Sequence, residues 1–216
     1  MPVTAPPAPG RDCSSCLRLA AFRAANRAKH PQWHNAPVES FGALGAPLLI
    51  VGLAPGLRGA NQTGRPFTGD FAGDLLYATL AAHGFTTGTY GARADDGFAL
   101  RGCRVTNAVR CVPPENKPER VEFAACRPYL QAEIAAMPGL RVVLALGRGA
   151  HDQCLRALDA TPLSHWPFAH GARHYLPAGP ILADSYHCSR YNTNTGRLTP
   201  EMFSAVVGAI RAELDR

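Results

Sequence analysis

Four short runs rich in Val, Ile and Leu constrain the fold of this chain more than any other feature: residues 47–53, 103–109, 141–146 and 181–185. Apolar runs of this length read as strands buried on both faces, as in a parallel sheet. Helical patterns lie between them. Residues 72–83 carry Leu75, Leu76, Thr79 and Leu80 at helical spacing, 118–137 alternate charged and apolar residues, 149–158 follow a strand after Gly147, and 200–214 are amphipathic. Strand and helix alternate, which predicts a three-layer α/β/α domain with a central, mostly parallel four-stranded sheet.

In such folds sites gather at the C-terminal ends of the strands. Three strands end in polar or glycine-rich stretches here. The first runs into G-L-A-P-G at 52–56 and T-G-R-P-F-T-G-D at 63–70, the second carries Thr106 and Asn107, and the fourth delivers residues 185–199, rich in Ser, Asn, Thr and Arg. Together they are expected to line one cleft.

A chain of 216 residues, 46% of them hydrophobic, supports one sizeable core, so residues 11–216 are expected as a single domain behind a flexible tail at 1–10. No apolar run approaches the roughly 20 residues of a membrane span. The start holds Pro and Thr where a secretory signal needs an apolar core. The expected setting is the cytoplasm, with a monomer as the working form. Twenty-two Lys and Arg stand against 16 Asp and Glu, and only Lys29 and Lys117 are lysines. Arginine pairs with phosphate in a fork, so a nucleic-acid partner fits this charge.

Seven cysteines, at 13, 16, 103, 111, 126, 154 and 188, argue against a disulfide framework in the cytoplasm. Cys13 and Cys16 form C-x-x-C; Cys111 and Cys126 sit far downstream. An all-thiolate set without a paired histidine points to zinc or to a four-iron, four-sulfur cluster, and spacing alone leaves both open. Either would pin the N-terminal arm to the middle of the fold. Cys103 and Cys154 read as small core residues.

The paired cysteines, the two glycine-rich motifs of the first strand, T-N-A-V-R-C-V-P-P-E-N-K-P at 106–118 and H-x-S-R-x-N-T-x-T-G-R-L-T at 187–199 together resemble the uracil-DNA glycosylase superfamily, most closely its type-b (family 5) iron-sulfur branch. The resemblance implies that Cys13, Cys16, Cys111 and Cys126 hold a 4Fe-4S cluster. It also implies DNA as partner and hydrolysis of the bond between a flipped uracil and its sugar, leaving an abasic site. Hypoxanthine and xanthine are implied as further substrates.

Such an enzyme must hold the flipped base by its edge and by stacking. Phe67 is the expected stacking ring, and the Asn107 amide offers the donor and acceptor that read uracil O4 and N3–H. Ala54 lines the base pocket. The base departs as an anion, so a donor near its O2 favours the transition state, and His187 is the expected donor. Other branches carry an acidic or amide side chain in the first motif, where this chain has Leu53 and Ala54. Asn61 is therefore expected to position water, with Asp70 and Asp74 as fallbacks whose commoner role is helix capping. Arg65, Ser189, Arg190, Asn192 and Arg197 are expected on DNA, with Arg190 as wedge or phosphate clamp. Relatives usually carry Pro after the histidine; Cys188 stands there and is expected to loosen the loop. The main alternative is a non-catalytic binder or sensor of damaged DNA. A zinc nucleobase deaminase is disfavoured by the missing H-x-E and P-C-x-x-C signature. An electron carrier is the remaining alternative.

Overall fold

Successive apolar residues in the first run all need burial, and the fold covers both faces of that strand. The computed structural model describes residues 5–216. Along the chain it forms α1 (Leu17–Lys29), β1 (Leu48–Gly52), α2 (Ala60–Thr63), α3 (Phe71–Ala82), β2 (Thr86–Thr87), β3 (Ala99–Leu100), β4 (Cys103–Asn107), α4 (Arg120–Ala135), β5 (Val142–Leu146), α5 (Arg148–Ala157), β6 (Arg173–Tyr175), β7 (Ile181–Ser185), α6 (Arg190–Asn194) and α7 (Pro200–Leu214). The main sheet has the order β4-β1-β5-β7-β6. Its first four strands are parallel, and β6 pairs antiparallel with β7.

Leu48 and Ile50 point into a core shared with Leu76 and Leu80 of α3 and Phe203, Val207 and Ile210 of α7. Leu49 and Val51 point the other way, toward Leu130 of α4 and Ala150, Cys154 and Leu155 of α5. This two-residue alternation gives the three layers expected. The expectation of four strands is corrected to five, because the edge strand Arg173–Tyr175 alternates Arg, His and Tyr and carries no apolar run. Of the expected tail, residues 1–4 lie outside the described residues, while Ala5 to Ala8 line a groove with Ser40, Arg104, Tyr129 and Glu133. Among the described residues no helix is long and apolar enough to cross a membrane.

Beneath the end of β7, His151 and Asp184 are 1% and 0% exposed. His151 Nδ1 meets Asp184 Oδ1 at 2.8 Å and its Nε2 meets the Trp166 carbonyl at 2.8 Å, so both nitrogens donate and the ring is a cation. His174 Nε2 meets the other carboxylate oxygen at 3.0 Å. Burial alone pushes the His151 pKa down, but Asp184 and the Trp166 carbonyl outweigh it, and the pKa is raised above the ordinary 6.5. A raised folded-state pKa stabilises the protein fully below the unfolded value, and that stability is lost as pH rises through the folded one. Melting curves across pH are therefore expected to show this loss in the wild type and not in His151→Ala. That substitution removes one of the two histidines bonded to buried Asp184 and is expected to lower the melting temperature most below pH 6.5.

Candidate active site

Gly52 and Asn107, the last residues of β1 and β4, are register partners. A Cβ on Gly52 would overlap Asn107 Oδ1 and come within 2.5 Å of Phe67 Cζ, so the missing side chain is what lets these two groups meet over the strand end. Phe67 has φ +50°, left-handed for a residue with a Cβ. The first turn of α3 holds it there: Gly73 sits so tightly on the Phe67 carbonyl that no Cβ fits. His187, just past β7, lies with its ring 6.0 Å from that of Phe67 at an interplanar angle of 30°. Gly147, at φ +89°, turns the chain behind it, in a backbone conformation that favours glycine.

Asn107, Phe67 and His187 thus share one cleft of about 650 Å³, lined also by Ala54, Asp70 and Ser189. Asn107 is 2% exposed, and its Oδ1 is buried without a hydrogen-bond partner. Such an orphaned acceptor is costly unless a ligand fills it. Burial pushes the His187 pKa down to about 4, so the ring is neutral at physiological pH. Asp70 caps α3, its Oδ1 accepting from the Gly73 N–H at 3.1 Å. Its other oxygen faces Gly56 and Gly59, where an added Cβ would collide with it. Burial raises the Asp70 pKa. Among the described residues it is the one carboxylate lining the cleft.

Residues 39–211 match the family described as the uracil DNA glycosylase superfamily. The chain belongs to this superfamily. It is 44% identical over 201 residues to a type-5 uracil-DNA glycosylase of Thermus thermophilus, covering 90% of both chains. A Mycobacterium tuberculosis type-5 uracil-DNA glycosylase is 40% identical over 202 residues, 90% of this chain and 75% of the relative. A type-4 uracil-DNA glycosylase of Pyrobaculum aerophilum matches at 40% over 101 residues, 46% of this chain and 43% of its own.

Some residues expected at the site lie elsewhere in this glycosylase. Asn61 is not in the cleft wall: α2 turns it inward, where it is 1% exposed and its Nδ2 donates to Asn35 Oδ1 at 2.9 Å. Arg65, expected on DNA, is buried and bonded to both oxygens of Asp96. Cys188 does not leave the loop loose; it is fully buried, and its Sγ donates to the Ala72 carbonyl at 3.4 Å. Asn192 uses its Nδ2 on the His187 carbonyl at 2.8 Å, so it braces the histidine from α6. Ser189 caps α6 at the cleft, and Arg197 is exposed with its guanidinium 4.7 Å from the Tyr186 ring. Arg190 lines the cleft and packs over Phe71 at 5.4 Å, whereas the next residue, Tyr191, is 72% exposed in the first turn of α6. An aromatic between Arg190 and Asn192 was the signal for this residue, and sequence reasoning passed over it.

Cys16, Cys111 and Cys126 of the glycosylase meet in one cluster with Leu19, Val109 and Ala54. Arg23 joins Cys13 to them, donating to the Cys13 carbonyl at 2.6 Å and to Cys111 Sγ at 3.4 Å. Ala54 belongs both to this cluster and to the cleft wall, so the thiols brace the first-strand motif. Cys103 and Cys154 are core residues, as expected. Among the described residues, the one group of three ligand atoms lying within 4.8 Å of one another is His151, His174 and Asp184, whose donors and acceptors already satisfy each other; no three cysteine sulfurs approach so closely.

Proposed function

We propose that this chain is a monofunctional DNA glycosylase that flips uracil out of DNA and hydrolyses its N-glycosidic bond. The observation that carries the reading is the buried, unpartnered Asn107 Oδ1 beside the Phe67 ring. Uracil N3–H supplies the missing donor, uracil O4 accepts from the Asn107 amide, and the ring stacks on Phe67. Hypoxanthine and xanthine present the same N–H and carbonyl pair on their six-membered rings, and a cleft of about 650 Å³ lined by Ala54 and Gly56 has room for them.

Cleavage is driven by the leaving group. As the bond from C1′ to N1 stretches, the base gathers negative charge, and neutral His187 stabilises it by donating a hydrogen bond to O2. Asp70, not Asn61, orients the water that adds to C1′ and balances the positive charge on the sugar; an amide is too weak a base for this role, and Asn61 does not line the cleft. A carboxylate in the cleft supports the enzyme over a non-catalytic sensor. Ser189, Arg190 and Arg197 grip the backbone, and Tyr191 takes the wedge role expected of Arg190. Tyr191→Ala is expected to slow excision from duplex DNA about 10- to 100-fold, the cost of losing a few kcal/mol of support for the unstacked state. Single-stranded substrate, already unpaired, changes little, and parallel assays on the two substrates check this.

Cys13, Cys16, Cys111 and Cys126 fit a 4Fe-4S cluster. Three of these thiols pack together, Arg23 ties Cys13 to them, and four thiolates are the donor set an iron-sulfur cluster takes. When bound, the cluster supplies a cross-link among α1, α4 and the segment after β4; hydrolysis itself moves no electrons. One chain completes the cleft, so a monomer suffices, and seven unpaired thiols suit the reducing cytoplasm. The test is incubation of purified protein with oligonucleotides carrying uracil, hypoxanthine or xanthine, followed by alkali. Strand breaks at the modified base are expected, and intact uracil strands contradict the reading.

A further inference from the structure

Arg65 stands in the motif that presents Phe67, yet its side chain is 6% exposed and that of its partner Asp96 is 4% exposed. The guanidinium makes two parallel 2.8 Å bonds to the Asp96 oxygens, and its Nε donates to Thr68 Oγ1 at 2.8 Å. The rings of Phe41, Tyr77, Tyr90 and Phe98 surround it, with centroids between 5.1 and 6.0 Å away. Asp96 also accepts from the backbone N–H groups of Gly91 and Phe98 at 2.8 and 3.0 Å, so the β2–β3 hairpin is wound around this one carboxylate. From the same cage Tyr77 donates to the Pro66 carbonyl at 2.5 Å and Tyr90 to the Phe67 carbonyl at 3.3 Å.

A buried ion pair is weak evidence for stability, because apolar residues of equal volume often serve as well. What this pair does provide is geometry. It fixes both sides of Phe67, whose left-handed backbone at φ +50° is strained and persists only where its surroundings enforce it. We propose that Arg65 and Asp96 are positioning residues that clamp residues 65–69 and so hold the Phe67 ring as the floor on which the flipped base stacks. The inference rests on the glycosylase reading. Arg65 touches no DNA; it acts through Phe67.

The test is a double-mutant cycle under single-turnover conditions on a uracil oligonucleotide. Lysine lacks the planar fork, so Arg65→Lys is expected to lower the excision rate constant about 10- to 100-fold, the effect of displacing a reacting partner by an ångström. DNA affinity is expected to stay at the wild-type value. In a Phe67→Ala background the same substitution is expected to add no further loss, because the group it positions is gone. Asp96→Asn, which keeps the shape of the side chain, carries the same expectations should Arg65→Lys fail to fold. The clamp is refuted if the loss persists at full size without the Phe67 ring, or if affinity falls while the rate constant holds. It is also refuted if wild type excises uracil and both variants match its rate. A wild type that excises no uracil refutes the glycosylase reading instead.

Discussion

Asp70→Asn is expected to lower single-turnover excision of uracil by about 10²–10⁴-fold, the range for loss of a positioned acid or base, while the protein melts no earlier than wild type. Asparagine caps a helix as well as aspartate does, so the hydrogen bond from the Gly73 N–H survives. Burial raises the pKa of Asp70, so keeping this carboxylate ionised at neutral pH costs the fold stability, and the neutral amide removes that cost. Activity needs the carboxylate ionised. The wild-type rate is therefore expected to fall as pH drops through the raised Asp70 pKa. The acid limb disappears in Asp70→Asn. Rate–pH profiles and melting curves of the two proteins check all three statements.

A single methyl group is expected to do comparable damage. Gly52→Ala places a Cβ inside contact with Asn107 Oδ1 and 2.5 Å from Phe67 Cζ, and because the backbones of both are held, by the β4 ladder and by Gly73 and Tyr90, the side chains must move. One or both must leave the position that receives the base. Misplacement of this size costs about 100-fold in rate, against an overpacking penalty of about 1–3 kcal/mol in stability. Kinetics and denaturant unfolding measured together separate the two, with the rate affected far more than the melting point.

Much of the architecture was legible because its signals are local. Each parallel strand is a short apolar run, and the boundaries expected for 181–185 and 200–214 are those of β7 and α7. Helix α1 escaped because it buries Arg23 and Asn26 as well as Leu19, facing thiols where an apolar stripe is normally sought. The β2–β3 hairpin escaped because its strands are two residues each and its turn is organised by Asp96.

At the site, Asn107 ends β4 and His187 lies two residues past β7, so strand ends point to both, whereas Phe67 is found from the glycine-rich motif at 63–70. Direction within a loop is not written so plainly. Asn61 lies between the two glycine-rich motifs that supply cleft residues, yet one turn of α2 aims it at Asn35. An arginine among glycines reads as a phosphate contact until its counter-ion, 31 positions away, is known. Asp70 reads from the sequence as a helix cap or as a fallback for positioning water; it caps α3, and the same side chain lines the cleft. Tyr191 needed its exposure to be seen.

The decisive measurement compares excision of uracil and of N3-methyluracil from otherwise identical DNA. The methylated base has no N3–H to give Asn107 Oδ1, which then stays buried and unpaired, so excision is expected to drop by at least about 100-fold. Equal rates on the two bases would mean that Asn107 does not read the base edge and that the cleft at the ends of β1, β4 and β7 is not where uracil is held.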